Sequence, residues 1–175
     1  MENAIEKAVR EIDSHVAKGG WDGPVRVFAL IRSAPALAAN PELAGQLPAD
    51  VDLNAAGRDD SLFSVEQEGL PAANSVEELL AQIAWPATVD GAAISLERVT
   101  MPSDAEGEIP DDPIEAEAFV ARDPRRQDIR MVVGVMRSGE SWCTIRMRSH
   151  DRDADVLSAS DLVPEMIEAL STTFL

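Results

Sequence analysis

The chain has 175 residues, 45 % hydrophobic and 27 % charged, a balance that belongs to a folded protein and excludes a fibre or a disordered tail. Its 32 acidic side chains outnumber the 15 basic ones, and the formal charge of −17 repels nucleic-acid phosphate and anionic membranes. A single cysteine excludes an internal disulfide and a cysteine-built zinc cluster, and no apolar run is long enough for a bilayer. With no secretory pattern at the first residues, the expectation is a cytoplasmic protein without nucleic-acid or membrane partners.

Ile5, Val9, Ile12 and Val16 recur at helical spacing over residues 2–18, and Gly19-Gly20 supplies a left-handed stop. His15 at the edge of that stripe reads as structural or solvated. After the Trp21-Asp22-Gly23-Pro24 turn, residues 25–32 are dense in strand formers and apolar at the centre, as in an interior strand. Ser33 is placed to start a short helix through Ala39, which Asn40-Pro41 interrupts. Residues 48–61 lack periodicity and read as an irregular loop within one domain.

Leu62–Glu66 has the composition of a short strand. Ser75 with Glu78 forms a capping box for a helix carrying Val76, Leu79, Leu80 and Ile83, ending at Trp85-Pro86. Ala92, Ile94 and Leu96 alternate with Ala93, Ser95 and Glu97, the pattern of a strand covered on one face. An acidic loop follows at about 101–112. Asp112-Pro113-Ile114-Glu115 then combines a cap, a proline suited to the first helical position and a first-turn acid, and that helix ends before Asp123-Pro124.

The clearest pattern spans residues 127–149. A two-residue loop would mix the apolar set of one strand with the arginines of the other. A three-residue loop, Arg137-Ser138-Gly139, aligns Ile129, Met131, Val133 and Val135 with Cys143, Ile145 and Met147. Parity therefore decides for three. A helix starting at Ser158 or Ser160 carries Leu162, Met166, Leu170 and Phe174, with Pro164 in its first turn. The expected fold is α+β, a single domain over 1–175 with a mainly antiparallel sheet, flanking helices, and a C-terminal hairpin followed by an amphipathic helix.

Charge is unevenly spread along this frame. Residues 104–117 hold seven acids and no base, whereas residues 122–148 hold seven arginines and three acids. On the second face of the hairpin the three-residue loop sets Arg130 opposite Arg146, which is unfavourable unless an anion or carboxylate lies between them. Trp142 falls opposite Gly134, and Arg148 continues the row. Arg130, Trp142, Arg146 and Arg148 are therefore a candidate binding surface, because Trp and Arg are enriched at interaction hot spots. The competing reading has a helix or the acidic segment covering and neutralising that face.

Catalytic signatures are missing. The chain has no phosphate-cradling glycine loop and no Gly-x-Ser-x-Gly elbow, so no catalytic residue, metal or cofactor is assigned. Cys143 turns into the core, where cysteine is usually inert. The aspartates of His150-Asp151-Arg152-Asp153-Ala154-Asp155 fail the calcium-loop pattern, since Val156 and Leu162 stand where glycine and glutamate are required. The leading expectation is a non-enzymatic protein-interaction module, adaptor- or chaperone-like, with a homodimer possible. The alternative is an enzyme or small-ligand protein whose site gathers Glu66, Glu68, His150 and Asp151 with an arginine.

Five strings, Gly20-Trp21-Asp22-Gly23-Pro24, Glu66-Gln67-Glu68-Gly69-Leu70-Pro71, Ile83-Ala84-Trp85-Pro86, Val132-Val133-Gly134-Val135 and Arg146-Met147-Arg148-Ser149-His150-Asp151, resemble a family of uncharacterised actinobacterial proteins of about this length. Thirteen arginines against two lysines, with abundant alanine, accord with a GC-rich host. The resemblance implies one cytoplasmic domain and carries over no functional residue.

Overall fold

Helix α1 (Ala4–Ala17) starts where the Asn3 side chain accepts the backbone N–H of Glu6 at 2.8 Å. Ile5, Ala8, Val9, Ile12 and Val16 form its buried stripe, and Gly20, at φ 81°, turns the chain out of the helix. The computed structural model describes residues 3–32, 62–101 and 107–174. The helix expected from Ser33 and the loop at 48–61 lie outside the described residues, as do residues 102–106 of the acidic loop.

Six strands, β1 (Arg26–Arg32), β2 (Leu62–Glu66), β3 (Gly91–Thr100), β4 (Gln127–Met136), β5 (Ser141–Met147) and β6 (Leu157–Ala159), make one sheet in the order β2-β1-β3-β4-β5-β6. Every neighbouring pair is antiparallel. The β4–β5 register is the one that loop parity requires. Gly134 faces Trp142, Arg130 faces Arg146 and Val133 faces Cys143 across the Arg137-Ser138-Gly139 loop, with Gly139 at φ 104°.

The sheet is covered on both faces. Helices α2 (Val76–Ala81) and α4 (Pro164–Ser171) pack one side, where Leu79, Leu80, Met166 and Leu170 join Val27, Ile94, Val133 and Cys143. Helix α1 covers the other side, against Phe28, Leu30, Ala93 and Val132. The expected single cover over residues 92–97 is therefore wrong: the first six residues of β3 are all buried. Ala93 and Ser95 are small because α1 lies above them, not because they face water.

Two further boundaries differ. Ser158 is not a helix start, since it pairs with Thr144 in β6, and the last helix begins at Pro164, whose fixed φ suits a first helical position. Helix α2 ends at Ala81, so Ile83 packs from the turn beyond it. Arg137, in the hairpin loop, donates to the carbonyls of Pro86 and Val89 and stands 4.8 Å from the Phe174 ring centroid. It thereby ties the hairpin to the chain's far end. The fold is an α+β domain, and among the described residues no helix is long and apolar enough to cross a membrane.

Candidate functional site

Glu97, Arg130 and Arg146 occupy one rank across β3, β4 and β5, on the face beneath α1. Two adjacent guanidiniums in one rank require counter-charge, and the chain supplies it from three directions. Asp13 descends from α1 to Arg146 at 2.8 Å, with both side chains buried. The segment after β5 brings Asp151 to Arg146 at 3.1 Å and Asp153 to the same guanidinium. Both oxygens of Glu97 accept backbone N–H groups, from Asp22 at 2.8 Å and Gly23 at 2.9 Å, and its carboxylate lies 4.0 Å from Arg130.

Trp21 joins these parts. Its ring stacks under the Arg130 guanidinium at 4.4 Å and lies 5.7 Å from Arg148, and its Nε1 donates to Asp151 at 2.9 Å. Arg130 also donates to the Gly20 carbonyl. The turn that reads in sequence only as a connection is thus the second layer of the arginine site. Its one signal is a tryptophan, one of three in the chain, directly before Asp-Gly-Pro.

Burial and pairing act in opposite directions here. Burial pulls the Arg146 guanidinium downward, but the Asp13 and Asp153 hydrogen bonds outweigh it and hold it above its ordinary pKa. Burial wins for Arg130, whose pKa is lowered despite the attraction of Glu97, Asp13 and Asp151. The Trp21 hydrogen bond, reinforced by Arg146, holds Asp151 below the usual carboxylate range, and Arg146 does the same for Asp153.

This geometry corrects the proposed binding surface. Arg130 and Arg146 are 1 % and 2 % exposed, covered by α1 and fully engaged with their own chain's groups at the Arg146 end. Trp142 is half-buried against the α1 core, its Nε1 donating to Ser158 at 2.6 Å. The space over Gly134 is filled by Ile5 and Val9: an added Cβ would meet Val9 Cγ2 at 2.5 Å and Ile5 Cδ1 at 3.0 Å. Arg148 is the one exposed member of the four, and it is held by Asp22 at 3.0 Å and Asp128 at 3.3 Å. An amphipathic helix needing a cover, and an arginine row needing carboxylates, satisfy each other.

Nor does the structure assemble the alternative constellation. Glu66 lies on β2 and pairs with Arg26 at 2.5 Å, which holds its carboxyl low, while Asp151 follows β5 with β1, β3 and β4 between them. At about 4.8 Å per strand that is about 19 Å. Glu68 follows two residues beyond the end of β2 and is exposed. His150 pairs with its neighbour, Nδ1 lying 2.9 Å from Ser149 Oγ, and His15 Nε2 lies 3.5 Å from Arg26. Cys143 is fully buried, and that burial raises its thiol pKa, so the thiolate that would react is disfavoured.

A different surface is left uncommitted. Helix α3 (Pro113–Arg122) is capped by Asp112, which accepts the N–H of Glu115 at 3.1 Å, yet none of its residues is buried. Ile114 is 79 % exposed. Along its side runs an open cleft of about 640 Å³, lined by Pro110, Glu115, Ala118, Phe119, Arg122, Asp123 and Pro124. Arg125, next in the chain to the lining Pro124, pairs with Glu108 and Asp123 at 2.8 Å each.

A family model described as PPA1309-like protein matches residues 5–175. The chain belongs to the PPA1309-like family. That family takes its name from a gene of the actinobacterium Propionibacterium acnes, in line with the resemblance carried by the five strings, and its description names no activity. No curated protein and no solved structure matches the chain.

For this PPA1309-like chain the two surfaces have different chemical capacities. At the arginine site Arg146 is held by three internal carboxylates and fastens α1 to the sheet, while one buried nitrogen of Arg130 keeps no hydrogen-bond partner among the described residues. The α3 cleft presents apolar carbon beside free charge, which is the composition of a recognition surface. The cap, proline and first-turn acid of Asp112-Pro113-Ile114-Glu115 predict α3 as a helix, but say nothing about whether a partner element covers it.

Proposed function

We propose that this PPA1309-like protein is a non-enzymatic protein-interaction module that binds through α3 and the cleft beside it. The observation that carries this reading is the exposure of α3. Among the described α-helices, α1, α2 and α4 each bury at least two residues, while α3 buries none and holds Ile114 in solvent. A ten-residue helix gains little from propensity alone, and one whose apolar residues Ala116, Ala118, Phe119 and Val120 are only partly buried contributes little to the fold. An amphipathic helix presented in this way fits the helix-in-groove mode of recognition.

The experiment places a photo-crosslinking side chain at position 114, and in parallel at position 165 on the exposed side of α4, and irradiates cells that produce the variants. A discrete crosslinked protein at 114, missing at 165, is expected. Equal smears at both positions, or uncrosslinked chain alone at 114, would overturn the reading.

A further inference from the structure

Resting on that reading of α3, we infer that its partner is a second copy of this chain, the two α3 helices lying antiparallel about a twofold axis with their cleft stripes in contact. The α3 residues that line the cleft are Glu115, Ala118, Phe119 and Arg122. Their spacing of i, i+3, i+4 and i+7 puts them on one face of the helix, with the anion at its start and the cation at its end. At 1.5 Å per residue these two charges stand about 10 Å apart along the axis, too far to neutralise each other. Neither has an ion-pair partner among the described residues, whereas Glu108 and Asp123 share Arg125.

Turned end for end, the stripe is its own complement. With the axis midway between residues 118 and 119, Glu115 of each copy falls opposite Arg122 of the other, and Phe119 of each falls opposite Ala118 of the other. Two ion pairs and two large-into-small contacts then form together, as an isologous contact requires. A parallel pair would set Glu115 against Glu115 and Arg122 against Arg122, so charge fixes the direction. Exposed Asp111 before the helix and Arg126 beyond it extend the same polarity, and Ile114, 79 % exposed, lies beside Glu115 at the edge of the contact. The chain's formal charge of −17 opposes association at a distance, but at physiological ionic strength it is screened beyond about 8 Å, while paired groups in contact are not.

The test is sedimentation equilibrium of the full chain. One ten-residue helix and its cleft on each copy make a contact below the standard interface of about 1,200 Å², so the dimer is weak and the series runs from about 10 to 500 µM. Across it the apparent mass is expected to rise from 18.8 kDa toward twice that value. Glu115→Arg and Arg122→Glu each turn two ion pairs into two like-charged contacts, and each should weaken self-association about tenfold or more. An equimolar mixture of the two variants sets every altered side chain against an opposite charge again, and should associate about as tightly as the parent. Both variants keep a large negative charge and both must be folded to associate, so recovery in the mixture reports contact between positions 115 and 122.

A chain that stays at 18.8 kDa throughout, single variants that associate like the parent, or a mixture no tighter than its components, each overturns the inference. The band crosslinked at position 114 in cells should have twice the mass of the chain. A discrete band of another mass, with a monomeric chain in the centrifuge, removes the second copy and leaves the interaction reading standing. An uncrosslinked position 114 with a monomeric chain removes both.

Discussion

Replacing Arg146 with methionine removes the centre of the ionic site while keeping a side chain of similar reach. The change leaves Asp13 buried under α1 without a cation, and stripping one partner from a buried pair costs about 3–5 kcal/mol. Asp151 and Asp153 are 38 % and 72 % exposed at the side chain, so water takes over their solvation and each adds at most about 1 kcal/mol. A total near 3–5 kcal/mol is a large share of the roughly 5–15 kcal/mol that stabilises a domain. It lowers the melting temperature by about 6–20 °C for a chain of this length. Asp13→Asn should cost less, about 1.5–3 kcal/mol, because Arg146 keeps two carboxylates. Combining Arg146→Met with Asp13→Leu removes both buried charges and should recover much of the loss of the arginine variant. Urea unfolding followed by circular dichroism gives all three values. If Arg146→Met lies within about 1 kcal/mol of the parent, or the double variant is no more stable than Arg146→Met alone, the site is not a buried ionic fastening.

Gly134→Ala drives a methyl group toward Val9 and Ile5 of α1, and should cost about 1–3 kcal/mol by overpacking, with Val9→Ala restoring part of it; a melting curve unchanged by Gly134→Ala would show that α1 rides free of β4 at that point. The acid limb of stability follows from Asp151, Asp153 and Glu66, all held below their ordinary pKa in the fold. The unfolded chain binds protons there more readily, so stability is complete above about pH 5 and falls as the pH drops through the lowered values. Urea midpoints measured from pH 6 to 2.5 should show this decline, shallower in Arg146→Met, and equal slopes in the two proteins would contradict the assignment.

Much of the architecture is legible in the chain because alternation carries parity. Two strands with opposite apolar sets and a short bend admit one register, so the pairing of Arg130 with Arg146 and of Trp142 with Gly134 follows without coordinates. The limits are equally physical. Periodicity gives α1 a stripe but not the sheet face that receives it, so Ala93 and Ser95 read as outward when they are small for the sake of an approaching helix. A three-residue strand such as β6 is too short to alternate, and its serine imitates a helix cap. The arginine row was visible, but its counter-charges were not. Asp13 lies 133 positions from Arg146, and no local pattern links them. Conversely, α3 is plain in its cap and proline, while its exposure among the described residues depends on how distant elements pack, which no local pattern gives.

The attachment of α1 to β4 and β5 has a consequence for synthesis. The first helix leaves the ribosome with its apolar stripe complete, but the strands that receive it end at Met136 and Met147. At about 5–20 residues per second, that seat is still unmade for roughly 6–26 s. During that interval Ile5, Val9 and Ile12 have only nascent chain or a chaperone to lie against. Folding thus closes from the back of the chain onto its beginning, and a truncated product lacking the hairpin would keep its sticky leading helix permanently in view of the protein-quality machinery.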